Sequence, residues 1–182
     1  MSSDQRAEVA AAFALDTAAA ALACESVHAV LAITDDHRFA RRLAALGCSV
    51  IPDGVSNDLN GSLRLAAAEA VRRWPGCLPV AVTADLPALR PAELAQALLS
   101  IGHRPAFVRD LAGTGTTLYA AAPHHFKPCF GPDSARAHAS SGAVEIAQTC
   151  ASLRQDVDTL SDLRAATALG LGSHTAAAAP LR

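Results

Sequence analysis

Short apolar runs alternate with longer stretches of helix-forming residues along most of the sequence. The apolar runs are bounded by polar residues, Gly or Pro, which predicts short buried strands. The predicted strands are residues 27–33, 49–52, 78–83, 106–108, 117–121 and 143–147. The Ala- and Leu-rich stretches predict helices at residues 5–23, 37–46, 60–73, 91–101 and 160–169, with a short helix inside 130–141. Gly47 and Gly170 are expected to close two of these helices.

The order of these elements predicts an α/β fold. Strands that alternate with helices favour a mainly parallel sheet flanked by helices, of the Rossmann-like kind. The 182 residues fit a single domain with one core. We expect residues 78–83 to form the central strand of the sheet. Ligands of such sheets bind beyond the carboxyl ends of the strands, so residues that follow strands are the candidates for function.

Composition and charge exclude several classes of protein. The formal net charge of -2 offers no electrostatic basis for binding nucleic acid or an anionic membrane. The apolar segment 7–24 is interrupted by Glu8 and Asp16 and is too polar to span a membrane. The cysteines form no CxxC pair, so neither a zinc site nor a disulfide framework is predicted. We therefore expect a cytoplasmic protein without nucleic-acid or membrane partners.

Three aspartates are the candidate metal ligands and catalytic residues. Asp85 directly follows the predicted strand 78–83 and can hold a hard cation such as Mg²⁺, although an aspartate before Leu-Pro also suits a turn or a cap. Asp156 and Asp158 alternate in one segment, so an extended backbone directs both carboxylates to one side. Capping of the helix 160–169 is the alternative for Asp158. Together the three carboxylates predict a site for one or two divalent ions and a triphosphate.

Two loops rich in Gly, Ser and Thr are candidate anion sites. Residues 113–117 (GTGTT) combine a backbone that can approach an anion with hydroxyl donors, with a hairpin turn as the plain alternative. Residues 130–134 (FGPDS) precede a helix start, where free N–H groups bind anions or a side chain caps the helix. These loops and carboxylates favour phosphoryl or nucleotidyl transfer over acyl chemistry. Asn60 and Ser62 cap the helix that starts there or contact a nucleotide base or ribose.

Several segments, in the same order, resemble the CofC/FbiD guanylyltransferases of deazaflavin coenzyme F-420 biosynthesis. These segments are ADLPALRPAEL (84–94), GTGTTL (113–118), FGPDS (130–134), SGAVEI (141–146) and LRQDVDTLSDL (153–163). The resemblance implies a fold like that of the nucleotide-diphospho-sugar transferases. It also implies a reaction that joins GTP to phosphoenolpyruvate or 2-phospho-L-lactate and releases pyrophosphate, and we expect phosphoenolpyruvate to be the acid.

The resemblance further implies a role for each candidate residue. The residues expected to bind the phosphorylated acid are Thr116, Gly131 and Ser134. The residues expected to hold Mg²⁺ are Asp85, Asp156 and Asp158, of which the first two are also assigned as catalytic. The residues expected to contact the nucleotide are Asn60 and Ser62.

One departure from the family pattern concerns the start of the chain. Family members begin with a strand and a loop of Lys and Arg that binds the triphosphate, whereas Met1 falls where their first helix begins. We therefore expect an N-terminally truncated chain that turns over GTP weakly. The sequence leaves open whether the protein forms a homodimer. Two other functions also stay open: a different small-molecule nucleotidyltransferase, and a non-catalytic remnant that binds a phospho-acid or a partner.

Overall fold

The computed structural model describes residues 2–55, 57–146 and 150–179. The helices in these ranges are α1 (Ser3–Leu22), α2 (His37–Leu46), α3 (Leu59–Arg73), α4 (Pro91–Leu99), α5 (Ser134–Ser140), α6 (Ala151–Arg154), α7 (Leu160–Leu169) and α8 (Ser173–Ala178). The strands are β1 (Leu31–Ile33), β2 (Ser49–Ile51), β3 (Val80–Val82), β4 (Ala106–Arg109), β5 (Thr116–Ala120) and β6 (Val144–Glu145). A short 3₁₀ helix spans Pro123–His125. The predicted α/β class is confirmed.

The described strands form two sheets. β1 and β2 pair in parallel, and the other four strands have the order β3-β5-β4-β6. β5 is antiparallel to β3 and β4, whereas β6 is parallel to β4, so the prediction of a mainly parallel sheet is confirmed with β5 as the exception. The prediction that residues 78–83 form the central strand is wrong, because β5 lies between β3 and β4 and leaves β3 at the end. The predicted strand 143–147 is β6, and residue 147 lies outside the described part.

Helices α1 and α3 each pack against both sheets. Ala18 of α1 belongs to the same apolar cluster as Ala32 of β1, and the next turn of α1 joins the cluster around Val82 of β3. The adjacent Ala81 points to the opposite face of the sheet, where it packs with Ala67 of α3. Helix α3 also contacts β1. The two helices therefore hold the end strands β1 and β3 within one layered structure.

The rigid centre of the fold is the β4–β5 pair. Val108 and Leu118 are almost fully buried in the cluster beneath α4, while Phe107 and Tyr119 are almost fully buried in the cluster on the opposite face. Side chains packed at this density resist displacement. Thr116, the first residue of β5, is therefore attached directly to the best-packed part of the molecule.

Side-chain caps set the helix ends that the sequence predicts most accurately. Asp36 accepts hydrogen bonds from two N–H groups in the first turn of α2, and Gly47 closes that helix with a φ of 108°. Thr159 and Asp162 form a reciprocal capping box at the start of α7. The predicted helices 37–46 and 160–169 are confirmed at both ends. Of the pair Asp158-Thr159, which is the alternative capping explanation, Thr159 is the cap and the Asp158 side chain is not.

Other elements differ from the sequence-based expectation. β1 occupies only the last three residues of the predicted strand 27–33, because the predicted strand starts in a turn, where the N–H of Val27 donates to the carbonyl of Cys24 at 2.9 Å. α6 and α8 have four and six residues, too few for a hydrophobic period to show. Instead, α8 is held from α1, where the buried Asp16 carboxylate accepts hydrogen bonds from the N–H groups of His174 and Thr175. None of the described helices is long and apolar enough to cross a membrane.

Candidate active site

Asp85 lies just beyond the carboxyl end of β3, as the sequence predicts. Its Oδ1 atom is buried and has no hydrogen-bond partner among the described residues. Burial raises the pKa of this carboxyl, and the negative charge of Asp158 raises it further. A buried carboxylate oxygen without a partner is costly, so this position favours a proton or a cation.

A backbone hydrogen bond brings the second acidic segment to Asp85. The N–H of Val157 donates to the carbonyl of Asp85 at 3.1 Å, and Asp156 and Asp158 flank Val157. Burial raises the pKa of Asp156 to about 6, with further contributions from the charges of Asp85, Asp110 and Asp158. The three predicted metal ligands are thus neighbours. However, among the described residues no group of three His, Cys, Asp or Glu side chains is close enough to hold one ion.

The loop that carries the GTGT sequence is organised by Asp110, a residue that sequence reasoning missed. The buried Asp110 carboxylate accepts hydrogen bonds from the N–H groups of Gly113, Thr114 and Gly115 at 2.5, 3.0 and 2.7 Å. A Cβ on Gly115 would collide with this carboxylate, which explains the glycine. The sequence predicts that this backbone approaches a bound anion, but its N–H groups bind the protein's own carboxylate. The available signal was an aspartate shortly before a Gly-rich turn.

Thr116 presents a hydroxyl at the end of the same loop. Its Oγ1 lies 3.0 Å from Nδ1 of His138, and both side chains are buried. The other ring nitrogen of His138, Nε2, accepts a hydrogen bond from the N–H of Cys129 at 2.9 Å. Burial lowers the pKa of His138, which favours the neutral imidazole. The predicted acid ligand Thr116 is therefore held by a histidine that the sequence analysis left without a role.

The FGPDS loop lies directly against the GTGT loop. The N–H of Ala135 donates to the carbonyl of Thr114 at 3.1 Å, and the N–H of Ser134 donates to the carbonyl of Gly131 at 3.2 Å. Two of the N–H groups expected to be free for an anion are thus used within the protein. The same bonds bring the loops of all three predicted acid ligands together, with Ser134 buried and Gly131 exposed at a φ of 134°.

Asn60 links the start of α3 to the FGPDS loop. Its Nδ2 donates to the carbonyl of Phe130 at 2.9 Å, and its Oδ1 accepts from the N–H of Phe130 at 2.8 Å. The hydroxyl of Ser62 bonds to the carboxylate of Asp53 and lies 3.0 Å from the carbonyl of Asp58. Asp58 caps α3, so neither Asn60 nor Ser62 is the cap. Their contact with a nucleotide stays a prediction, and both side chains already make hydrogen bonds within the protein.

Arginines beside the acidic cluster stabilise the end of β4. Arg154 donates from Nε and Nη2 to the carbonyls of Arg109 and Asp110, each at 3.0 Å. Arg109 forms a two-point ion pair with Glu145 at 3.1 and 2.8 Å and also donates to the carbonyl of Gly113 at 2.9 Å. These two guanidinium groups therefore fix the frame around Asp110, and Arg109 also lines an open cavity with Thr114 and Arg136.

Curated proteins similar to this chain share one name, while no protein-family model matches. The phosphoenolpyruvate guanylyltransferase of Streptomyces scabiei is 51% identical over 178 residues, which cover 94% of this chain and 82% of that protein. The enzyme of the same name from Streptomyces coelicolor is 51% identical over 174 residues, with the same coverage of 94% and 82%. The one from Thermomonospora curvata is 50% identical over 177 residues, covering 96% of this chain and 78% of that protein.

Proposed function

The chain belongs to the phosphoenolpyruvate guanylyltransferase family and is a nucleotidyltransferase, and we propose that it transfers the guanylyl group of GTP to phosphoenolpyruvate with release of pyrophosphate. The observation that carries this proposal is the 51% identity over 94% of the chain to a protein of that name. The acidic cluster beside two joined hydroxyl-bearing loops supports it. We further propose a cytoplasmic role in F-420 biosynthesis, with 2-phospho-L-lactate as the competing acid and without nucleic-acid partners.

The proposed reaction is an in-line displacement at phosphorus. A phosphate oxygen of the acid forms a bond to the α-phosphorus of GTP, while the bond from that phosphorus to the bridging oxygen of the β-phosphate breaks. Pyrophosphate leaves with the electron pair. The attacking phosphate is already an anion, so neither a protein nucleophile nor a strong base is required. The contribution of the protein is to position the two anions and to offset their charge.

Asp85 at the end of β3 and the neighbouring Asp156 are the proposed ligands of a divalent cation. The Oδ1 atom of Asp85 has no hydrogen-bond partner among the described residues, and the pKa of Asp156 is raised. A positive charge nearby would therefore stabilise both carboxylates in their ionised form. We propose that Asp85 and Asp156 hold Mg²⁺, which when bound would neutralise charge on the phosphates. Asp158 adds negative charge beside them and is not proposed as a third ligand, because among the described residues no three such side chains are close enough to hold one ion. Asp110 is not proposed as a ligand, because its carboxylate already accepts three backbone hydrogen bonds.

The two joined loops are proposed to hold the acid. The Thr116 hydroxyl, the open backbone at Gly131 and the start of α5 at Ser134 lie on loops bonded to each other. We propose that Asn60 and Ser62 place the start of α3 beside the nucleotide. Since Asn60 also holds Phe130, next to Gly131, this contact would couple the nucleotide side to the acid side.

A second candidate function is binding of the phospho-acid without turnover of GTP. One observation favours it. Arg109 is paired with Glu145 and Arg154 donates to two backbone carbonyls, so part of the hydrogen-bonding capacity of both guanidinium groups is already used within the protein. Fewer of their N–H groups are therefore available to bind the phosphates of GTP.

The test is an assay of pyrophosphate release with GTP, Mg²⁺ and either phosphoenolpyruvate or 2-phospho-L-lactate. ATP replaces GTP as the nucleotide control, and the Streptomyces coelicolor relative serves as the positive control. We expect release that requires both GTP and an acid. Calorimetric binding of the acid without release of pyrophosphate supports the second candidate. If the chain neither binds the acid nor releases pyrophosphate under conditions in which the Streptomyces coelicolor relative is active, both candidate functions are contradicted.

A further inference from the structure

His138 is a fully buried polar side chain at the centre of an aromatic cage. Its ring stacks on Tyr119 with centroids 4.6 Å apart and on Phe107 at 5.7 Å, and Phe130 contacts it edge-on at 5.5 Å. The side chain is 0% exposed. Packing on three sides fixes the plane of the imidazole, so its two nitrogens point in defined directions.

The partners of the two nitrogens determine which of them carries the proton. The N–H of Cys129 donates to Nε2 at 2.9 Å, and a ring nitrogen that accepts a hydrogen bond is unprotonated. A neutral imidazole then carries its hydrogen on Nδ1. Burial keeps the pKa of His138 below its ordinary value, although the backbone of Ser134 raises it in part. Nδ1 is therefore a donor to the Thr116 hydroxyl at 3.0 Å.

We propose that His138 is a positioning residue for the phosphorylated acid, because its Nδ1–H occupies the acceptor side of the Thr116 hydroxyl and leaves the hydroxyl hydrogen to donate to the ligand. This inference rests on the proposed function, in which Thr116 binds the acid. A hydroxyl held in this way suits a ligand group that only accepts hydrogen bonds, such as a phosphate or carboxylate oxygen. His138 itself does not touch the ligand.

Two variants separate the functions of the two ring nitrogens. His138→Asn places an amide N–H near the position of Nδ1 and loses the acceptor for Cys129. His138→Gln reaches the position of Nε2, where it can accept from Cys129, and loses the donor to Thr116. We expect the KM for phosphoenolpyruvate to rise about tenfold in His138→Gln and less than about threefold in His138→Asn, with the KM for GTP unchanged in both.

A double-variant cycle tests whether the effect passes through Thr116. In a Thr116→Val background, adding His138→Gln is expected to leave the KM for the acid unchanged. Equal effects of the Asn and Gln variants, a parallel rise in the KM for GTP, or additivity with Thr116→Val would overturn the proposal. Melting curves of all the variants show whether each is folded.

A measurement on the unaltered protein keeps the inference testable if a variant fails to fold. Nitrogen-15 NMR of the histidine side chains distinguishes a protonated from an unprotonated ring nitrogen. We expect His138 to be protonated at Nδ1 and unprotonated at Nε2, and the opposite tautomer overturns the inference. Absence of turnover in the unaltered protein contradicts the proposed function alone. Retained acid KM in a folded, active His138→Gln variant contradicts this inference alone.

Discussion

Replacing Asp110 with alanine tests how far one buried carboxylate organises the loop between β4 and β5. The change removes the acceptor of three N–H groups, those of Gly113, Thr114 and Gly115. A hydrogen bond to a charged group contributes about 1.5–3 kcal/mol. Water replaces part of the lost hydrogen bonding, because Thr114 is exposed and the glycines are half-buried. The change also removes the repulsion between the charges of Asp110 and Asp156, which lowers the loss of stability further. We expect a loss of about 2–4 kcal/mol in the free energy of unfolding, and a melting temperature roughly 5–15 °C lower.

Urea unfolding followed by circular dichroism measures this loss. Asp110→Asn keeps one carbonyl oxygen and is expected to fall between the alanine variant and the parent. Asp133→Asn removes an exposed carboxylate from the neighbouring loop and is expected to change stability by less than about 0.5 kcal/mol. Asp110→Ala stability equal to that of Asp133→Asn would refute the organising role of Asp110.

Three further predictions concern the ligands and the acidic cluster. The pKa of Asp156 is raised from 3.8 to about 6, so the folded metal-free protein binds a proton more readily than the unfolded chain. Its stability is therefore expected to fall as the pH rises through this window, and thermal melts should show a smaller fall in Asp156→Asn or with saturating Mg²⁺. Thr116→Val is expected to weaken phosphoenolpyruvate binding about tenfold by calorimetry, whereas Thr116→Ser retains it. Asn60→Ala frees both backbone groups of Phe130 and should raise the KM for the acid about fivefold, and an unchanged KM would contradict the coupling of the two loops.

Local features of the fold were predictable from the sequence because their causes are local. α2 begins at an aspartate that caps it and ends at Gly47 in a left-handed conformation, and both residues are visible as signals in the sequence. The position of Asp85 beyond β3 follows from an apolar run that ends at a carboxylate. Some predicted strands were longer than the observed ones, because hydrophobic residues in the loops next to a strand are also buried and extend the apolar run. Hydrophobicity also does not determine which strands pair with each other, so the predicted central position of β3 was wrong.

The internal contacts of the site were not predictable because they join distant parts of the chain. Asn60 bonds to Phe130 across 70 positions, and Thr116 bonds to His138 across 22. Asp110 was overlooked because the glycines after it suggested an anion from outside rather than a carboxylate from within. The bonds of Asn60 and Thr116 satisfy groups that only the folded chain brings into reach, whereas those of Asp110 are local.

Phosphorus-31 NMR of GTP and phosphoenolpyruvate with Mg²⁺ and a high concentration of the protein tests the central claim most directly. Both reactants and both products carry phosphorus, and long accumulation detects weak turnover. We expect signals of pyrophosphate and of a mixed anhydride between the guanylyl phosphate and the acid, growing together and absent with Asp85→Asn. Unchanged GTP in the presence of bound acid would contradict guanylyl transfer. Product formed at the parent rate by Asp85→Asn would contradict the assigned site.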